Sequence, residues 1–126
     1  MSYILVVEDD ARLRTILRDI LEQQGHTVRE AVDGEQGLAI AHRENLDLVI
    51  VDILLPGGRE GIELIIDLHR HFSNIKIIAI SGGGKCDAQH YLDMAKEFGA
   101  HLAIRKPFDQ ETLIKAVESL LAPTSA

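Results

Sequence analysis

Short apolar runs alternate along the chain with segments whose apolar residues recur every three or four positions. The apolar runs are Ile4–Val7, Leu46–Val51 and Ile75–Ile80, and His26–Ala31 and His101–Arg105 are two further strand candidates, the first of them weaker. Runs of this length, rich in β-branched residues and followed by turn-forming residues, predict strands. The intervening segments predict helices, and the first of them carries one apolar face made of Leu13, Ile16, Leu17, Ile20 and Leu21.

The order of these segments predicts the fold class. Strands that alternate with helices through short loops form right-handed βαβ units, which give a parallel sheet covered by helices on both faces. We therefore expect an α/β fold of three layers. The ends of the first helix are also marked, because Asp10 is a favoured N-cap residue and Gly25 a favoured C′ residue.

Length and composition indicate one domain. The chain has 126 residues, of which 46% are hydrophobic and 26% charged, close to the averages for a globular protein. We expect residues 1–122 to form this domain and residues 123–126 to be a C-terminal tail. The apolar run Ile4–Val7 is too short to cross a membrane, and the single cysteine, Cys86, suits the reducing cytoplasm.

The charge of the chain argues against direct binding to nucleic acid. The formal net charge is −7, no run is rich in lysine and arginine, and only 4% of the residues are aromatic. Such a surface repels phosphate backbones and offers few rings for stacking on bases.

Polar residues follow four of the predicted strands. Glu8–Asp10 follow the first strand, Asp52 the third, Ser81 the fourth and Lys106 the fifth. Because the carboxyl ends of parallel strands share one edge of a sheet, these side chains are expected to converge in one crevice. Clustered carboxylates suit Mg²⁺, and a cation, an ammonium and a hydroxyl together suit a phosphoryl group. A carboxylate such as Asp52 is then a candidate nucleophile.

Each of these residues also has a purely structural explanation. Asp52 could form a turn, Ser81 could cap a helix, and Lys106 could be a solvated charge, as Asp10 could be an N-cap. The occurrence of all four at the same edge favours a functional site over four unrelated structural roles.

Four motifs, in order, are similar to those of one family. The segments ILVVEDD, LVIVDILLPG, IIAISG and IRKPF resemble the receiver domain of bacterial two-component response regulators, in particular its single-domain, chemotaxis-regulator-like members. The resemblance covers nearly the whole chain. It implies a flavodoxin-like (βα)5 fold with the strand order 2-1-3-4-5.

The resemblance also implies a metal site and a phosphoacceptor. Asp52 is implied as the phosphoacceptor and, together with Glu8, Asp9 and the backbone carbonyl of Leu54, as a ligand of Mg²⁺, with Mn²⁺ as an alternative ion. Asp9 is implied as a direct ligand, with Glu8 acting through water.

The phosphate-binding residues are implied in the same way. Ser81 matches the switch Ser/Thr, and Lys106, which precedes the loop-supporting Pro107, matches the phosphate-binding lysine. The family carries Tyr or Phe where this chain has Ala103, so a switch that moves an aromatic ring inwards is not expected here. The loop at 56–61 and the segment 81–99 are also expected to be longer than usual.

The function that follows is a phosphorylation switch. A sensor histidine kinase or phosphotransfer protein is the implied donor, and a protein effector of unknown identity is expected to read the phosphorylated form. The resemblance implies slow self-dephosphorylation rather than classical enzyme turnover, and a stand-alone receiver is expected. Two alternatives stay open: a Mg²⁺-dependent phosphatase or phosphotransferase that uses an aspartyl-phosphate, and a degenerate receiver that only binds a partner.

Overall fold

A computed structural model describes residues 2–53, 60–81 and 88–121, and these residues alternate between strand and helix as predicted. The strands are β1 (Tyr3–Val7), β2 (Thr27–Ala31), β3 (Leu48–Asp52), β4 (Lys76–Ser81) and β5 (Leu102–Arg105). The helices are α1 (Ala11–Gln23), α2 (Gly34–Arg43), α3 (Glu60–His71), α4 (Ala88–Phe98) and α5 (Gln110–Leu121). Among these helices, none is long and apolar enough to cross a membrane.

The strands form one parallel sheet in the order β2-β1-β3-β4-β5. Successive side chains of a strand point to opposite faces, so each strand contributes to two cores. On one face, Leu5 and Val49 pack with buried residues of α2, α3 and α4. On the other face, Ile4 and Ile50 pack with buried residues of α1 and α5. The three-layer, flavodoxin-like fold is therefore confirmed.

Two predicted loop residues belong to strands instead. Asp52 is the last residue of β3 and Ser81 the last residue of β4. The backbone ladder extends this far because the N–H of Ile53 donates to the carbonyl of Ile80 at 2.9 Å, and that of Lys106 donates to the carbonyl of Ser81 at 2.9 Å. The functional side chains thus start from hydrogen-bonded strand ends, which position them more rigidly than loops do.

The predicted apolar face of α1 is wider than the area that the sheet covers. Leu17 and Leu21 are fully buried, whereas Ile16 is 49% exposed. Ile16 borders an open apolar groove with Leu13, Ile20 and Phe108 among its lining residues. Ile16 belongs to the predicted apolar face but lies at its uncovered margin, because a helical stripe of this width exceeds the contact with one sheet and one neighbouring helix.

The predicted ends of α1 are confirmed. The side chain of Asp10 accepts hydrogen bonds from the backbone N–H groups of Arg12 and Leu13, which makes it the N-cap. Gly25 lies two residues beyond the helix with φ of 92°, a left-handed conformation that glycine adopts without a steric penalty.

Gly61 allows α3 to lie against the end of β3. A Cβ at this position would come within 2.5 Å of the carbonyl oxygens of Asp52 and Ile53. We expect Gly61→Ala to lower the free energy of unfolding by about 3 kcal/mol, because backbone atoms must move apart. Urea unfolding in the absence of divalent metal measures this loss.

Gly37→Ala is the matched control. Its Cβ would meet only side-chain carbons, of Val7 at 3.0 Å and Leu64 at 3.3 Å. The helix-propensity gain of alanine over glycine, about 1 kcal/mol, opposes that crowding. A loss of stability equal to that of Gly61→Ala would show that the close approach of α3 to β3 is not what Gly61 provides.

Candidate functional site

Two acidic residues meet at the carboxyl edge of the sheet. Glu8 follows β1, where its N–H donates to the carbonyl of Ala31 at 3.0 Å, and Asp52 ends β3. Because Val7 pairs with Val51 in parallel register, the two carboxylates start from neighbouring positions. Glu8 is 1% exposed and Asp52 5% exposed, so both acids are buried.

Lys106 bridges these two acids. Its Nζ lies 3.2 Å from Oε1 of Glu8 and 3.1 Å from Oδ2 of Asp52. The register of β5 on β4, which pairs Arg105 with Ser81, brings the following lysine to this edge. The peptide bond between Lys106 and Pro107 is cis. The structure thus brings together the polar residues predicted at the ends of the first, third and fifth strands, which form one charged cluster.

Asp9 completes a candidate metal site. One carboxylate oxygen each of Glu8, Asp9 and Asp52 can lie within 4.8 Å of the others, and Asp9 is the exposed member of the set. Three carboxylates suit a hard divalent cation such as Mg²⁺, which keeps several of its waters. Asp10 serves instead as the N-cap of α1. The Leu54 carbonyl, the remaining predicted ligand, lies outside the described residues.

The buried charges perturb one another. Burial, a hydrogen bond to Asp52 and the negative charge of Asp52 raise the pKa of Glu8 to about 8, against the opposing effect of Lys106. Partial burial lowers the pKa of Lys106, but the attraction of Asp52 and Glu8 outweighs it, so this pKa lies above its ordinary value. In the absence of a metal ion, Glu8 therefore keeps its proton at neutral pH and Lys106 stays charged.

Ser81 carries a hydroxyl group that no described residue engages. The residue is 1% exposed, and its Oγ makes no hydrogen bond within the part of the chain that the structure describes. Asp52 pairs with Ile80, so this hydroxyl lies on the strand next to Asp52, one residue further along. An unpaired buried hydroxyl is costly, and a bound group that offers acceptor oxygens removes that cost.

Ala103 occupies the middle of β5, opposite Ala79. It is partly buried against the core on the side of α2, α3 and α4, as is Met94 of α4. A methyl group thus occupies the position at which the resemblance implies an aromatic ring. The segments predicted to be longer than usual are 56–61 and 81–99, of which residues 56–59 and 82–87 lie outside the described residues.

Sequence reasoning did not find Arg14 and Glu30. Nη1 of Arg14 donates to the backbone carbonyl of Glu8 at 2.8 Å, and its Nε donates to Glu30 at 3.1 Å. The spacing of apolar residues does not predict a hydrogen bond from a polar helical side chain to the backbone of the preceding loop. The available signal was the spacing of Arg14 one helical turn after the N-cap Asp10.

A comparison with protein families identifies the family of this chain. The model of the response regulator receiver domain matches residues 4–118. The chain belongs to this receiver domain family. The family is a signalling switch of two-component systems, in which an aspartate accepts a phosphoryl group.

Curated relatives of the receiver domain differ in length. This chain is 32% identical over 118 residues to sporulation initiation phosphotransferase F of Bacillus subtilis, and the match covers 94% of this chain and 92% of that protein. It is 36% identical over 116 residues to the CAI-1 autoinducer sensor kinase/phosphatase CqsS of Vibrio cholerae, covering 90% of this chain but 16% of that protein. The chain thus matches one relative almost end to end and only a small part of the other.

Solved structures agree with the fold of the receiver domain. The receiver domain of NtrX from Brucella abortus superposes with a TM-score of 0.87 at 32% identity, covering 96% of this chain and 99% of that one. The response regulator TrrA from Thermotoga maritima, solved in complex with Mg(2+)-BeF, superposes with a TM-score of 0.83 at 30% identity, covering 96% and 100%.

Proposed function

We propose that Asp52 is the phosphoacceptor of this receiver domain and that a histidine kinase or phosphotransfer protein is its phosphodonor. The observation that carries the proposal is the ammonium group of Lys106, 3.1 Å from a carboxylate oxygen of Asp52 within the acidic cluster. Fixed positive charge beside a nucleophilic carboxylate stabilises the negative charge of an incoming phosphoryl group. The sensor kinase name of one relative and the phosphotransferase name of another support a donor of this kind.

The transfer follows from the charges of the site. A carboxylate oxygen of Asp52 forms an O–P bond as the P–N bond of a phosphohistidine breaks, and the electron pair of that bond remains on the imidazole. Lys106 then contacts a phosphoryl oxygen in place of the carboxylate oxygen, and the buried hydroxyl of Ser81 donates to another. Glu8, Asp9 and Asp52 would hold Mg²⁺, and the bound ion would neutralise these carboxylates and withdraw charge from the phosphoryl oxygens. Mn²⁺ suits the same oxygen ligands.

The switch operates through the ends of β4 and β5. Their backbones are joined where the N–H of Lys106 donates to the carbonyl of Ser81. When both side chains turn towards a phosphoryl group, the ends of β4 and β5 move together and favour a second conformation. Ala103 offers no ring that could swing inwards, so we assign the output to these strand ends; the loop directly after Ser81, residues 82–87, lies outside the described residues. An effector protein in the cytoplasm is the proposed reader.

Intact-protein mass spectrometry tests this function. After incubation with acetyl phosphate and Mg²⁺, we expect the mass to increase by one phosphoryl group, and we expect no increase when EDTA replaces Mg²⁺. Acetyl phosphate does not serve every receiver, so a phosphorylated histidine phosphotransfer domain is the second donor. Failure of both donors with folded, Mg²⁺-binding protein would favour a receiver that only binds a partner.

Glu8 makes Mg²⁺ binding depend on pH. Its pKa of about 8 in the metal-free protein means that a proton must leave before Glu8 can act as a ligand. We expect the Mg²⁺ dissociation constant to rise on the order of tenfold for each pH unit below 8. Calorimetric titrations between pH 6 and pH 9 measure this slope. Glu8→Gln should bind Mg²⁺ more weakly and lose the slope, and a flat profile for the unchanged protein would contradict the assignment.

The stability of the metal-free protein has the opposite dependence on pH. Between the ordinary pKa of 4.5 and the raised value of about 8, the folded state holds a proton on Glu8 that the unfolded state has released. The stability of the metal-free protein therefore falls as the pH rises from 4.5 to about 8 and levels off above that, and Glu8→Gln removes this fall.

A further inference from the structure

Arg14 anchors the loop that carries Glu8 and Asp9. Nη1 of Arg14 donates to the backbone carbonyl of Glu8 at 2.8 Å. The same guanidinium forms an ion pair with Glu30, where Nε lies 3.1 Å from Oε1, and the Arg14 side chain is only 17% exposed. A charge-assisted contact from a largely buried, anchored arginine is strong and directional.

Strand β2 also holds this loop in place, through its last two residues. The carbonyl of Ala31 accepts the N–H of Glu8 at 3.0 Å, and the preceding residue Glu30 anchors Arg14. Both backbone groups of Glu8 are therefore held by the same dipeptide of β2, one directly and one through Arg14. The carbonyl of Glu8 belongs to the peptide group between Glu8 and Asp9. Fixing that carbonyl fixes how the two carboxylates are directed relative to each other.

We propose that Arg14 is a positioning residue for the metal site, one that lowers the free energy needed to direct Glu8 and Asp9 at one cation. The inference rests on the proposed function, because it assumes that these acids bind Mg²⁺. Groups that orient metal ligands from outside the coordination shell affect metal affinity by about tenfold to 100-fold. Without the guanidinium, the Glu8–Asp9 peptide can rotate, and the ion must restrict that rotation when it binds.

Arg18 provides a matched control. It also pairs with Glu30, through Nη1, and lies one helical turn further along α1. Its second ion pair is with Glu22, so both of these contacts are with side chains and neither is with the backbone of the loop. Replacing Arg18 disturbs the same Glu30 carboxylate and removes the same charge, but leaves the bond from Arg14 to the carbonyl of Glu8.

Calorimetric Mg²⁺ titrations of Arg14→Gln, Arg14→Lys and Arg18→Gln test the proposal. We expect the dissociation constant to rise about tenfold in Arg14→Gln, less in Arg14→Lys, and by less than about twofold in Arg18→Gln. Urea unfolding of each metal-free variant establishes that the folded form is titrated. At saturating Mg²⁺ the phosphorylation rate of Arg14→Gln should return to that of the unchanged protein, because Arg14 does not contact the reacting atoms.

Each outcome has a separate meaning. An unchanged dissociation constant in folded Arg14→Gln, or an equal rise in Arg18→Gln, would overturn the positioning role while leaving the proposed function intact. A phosphorylation defect that persists at saturating Mg²⁺ would also overturn it. Absence of Mg²⁺ binding by the unchanged protein would overturn the proposed function, and this inference with it.

Discussion

Asp52→Asn is expected to take up no phosphoryl group from acetyl phosphate, even at saturating Mg²⁺. Asparagine has nearly the shape of aspartate, so the end of β3 and its hydrogen bonds are retained. Its neutral amide oxygen is a poor nucleophile, and it cannot form an acyl phosphate. Intact mass after incubation is the measurement. Because the charge of Asp52 helps to raise the pKa of Glu8, the variant should also lower that pKa from about 8.

Asp10→Asn is the control for Asp52→Asn. Asp10 belongs to the same acidic loop, but its side chain caps α1, and asparagine caps helices as well as aspartate does. We expect its phosphorylation rate at saturating Mg²⁺ to stay within about twofold of that of the unchanged protein. A phosphoryl group on Asp52→Asn at the rate of the unchanged protein would place the acceptor elsewhere.

Lys106→Met is expected to slow phosphorylation by about 100-fold at saturating Mg²⁺. Methionine keeps the length and much of the apolar stem of lysine but removes the ammonium that bridges Glu8 and Asp52. The transition state then lacks one fixed positive charge beside the transferring group. The rate comes from a time course of intact mass with acetyl phosphate.

Lys115→Met removes a lysine without touching the site. Lys115 pairs with Glu111 on α5, and both side chains are more than 70% exposed. The rate should not change measurably, because exposed ion pairs contribute little and this one is remote from the acids. Equal rates for Lys106→Met and the unchanged protein would remove Lys106 from the proposed mechanism.

The fold could be predicted because the spacing of apolar residues indicates which positions of each strand and helix are buried. β3 is buried on both faces and appears as the continuous apolar run before Asp52. The last residue of a strand could not be predicted, because backbone hydrogen bonds, such as that from Ile53 to Ile80, decide it. The exposure of Ile16 could not be predicted, because periodicity gives the direction of an apolar stripe but not how much of it is covered.

The residues of the site could be predicted from the sequence, but their distances and hydrogen bonds could not. Parallel strands place Glu8, Asp52 and Lys106 at one edge whatever their side chains do. The sequence does not show that Lys106 lies between the two acids, nor that the buried hydroxyl of Ser81 has no partner among residues 2–53, 60–81 and 88–121. The contact of Arg14 with the loop could not be predicted either, because it is made to the backbone carbonyl of Glu8 and every residue type has a backbone carbonyl.

The identity of the modified residue tests the central claim most directly. Borohydride reduces an acyl phosphate to an alcohol, so a phosphorylated aspartate becomes homoserine. The phosphorylated protein should be reduced, cleaved with trypsin and sequenced by mass spectrometry. The tryptic peptide of residues 44–59 contains Asp47 and Asp52. We predict homoserine at position 52 and unchanged aspartate at position 47, in the sample prepared with Mg²⁺ only. Homoserine at another position, with Asp52 intact, would contradict the account.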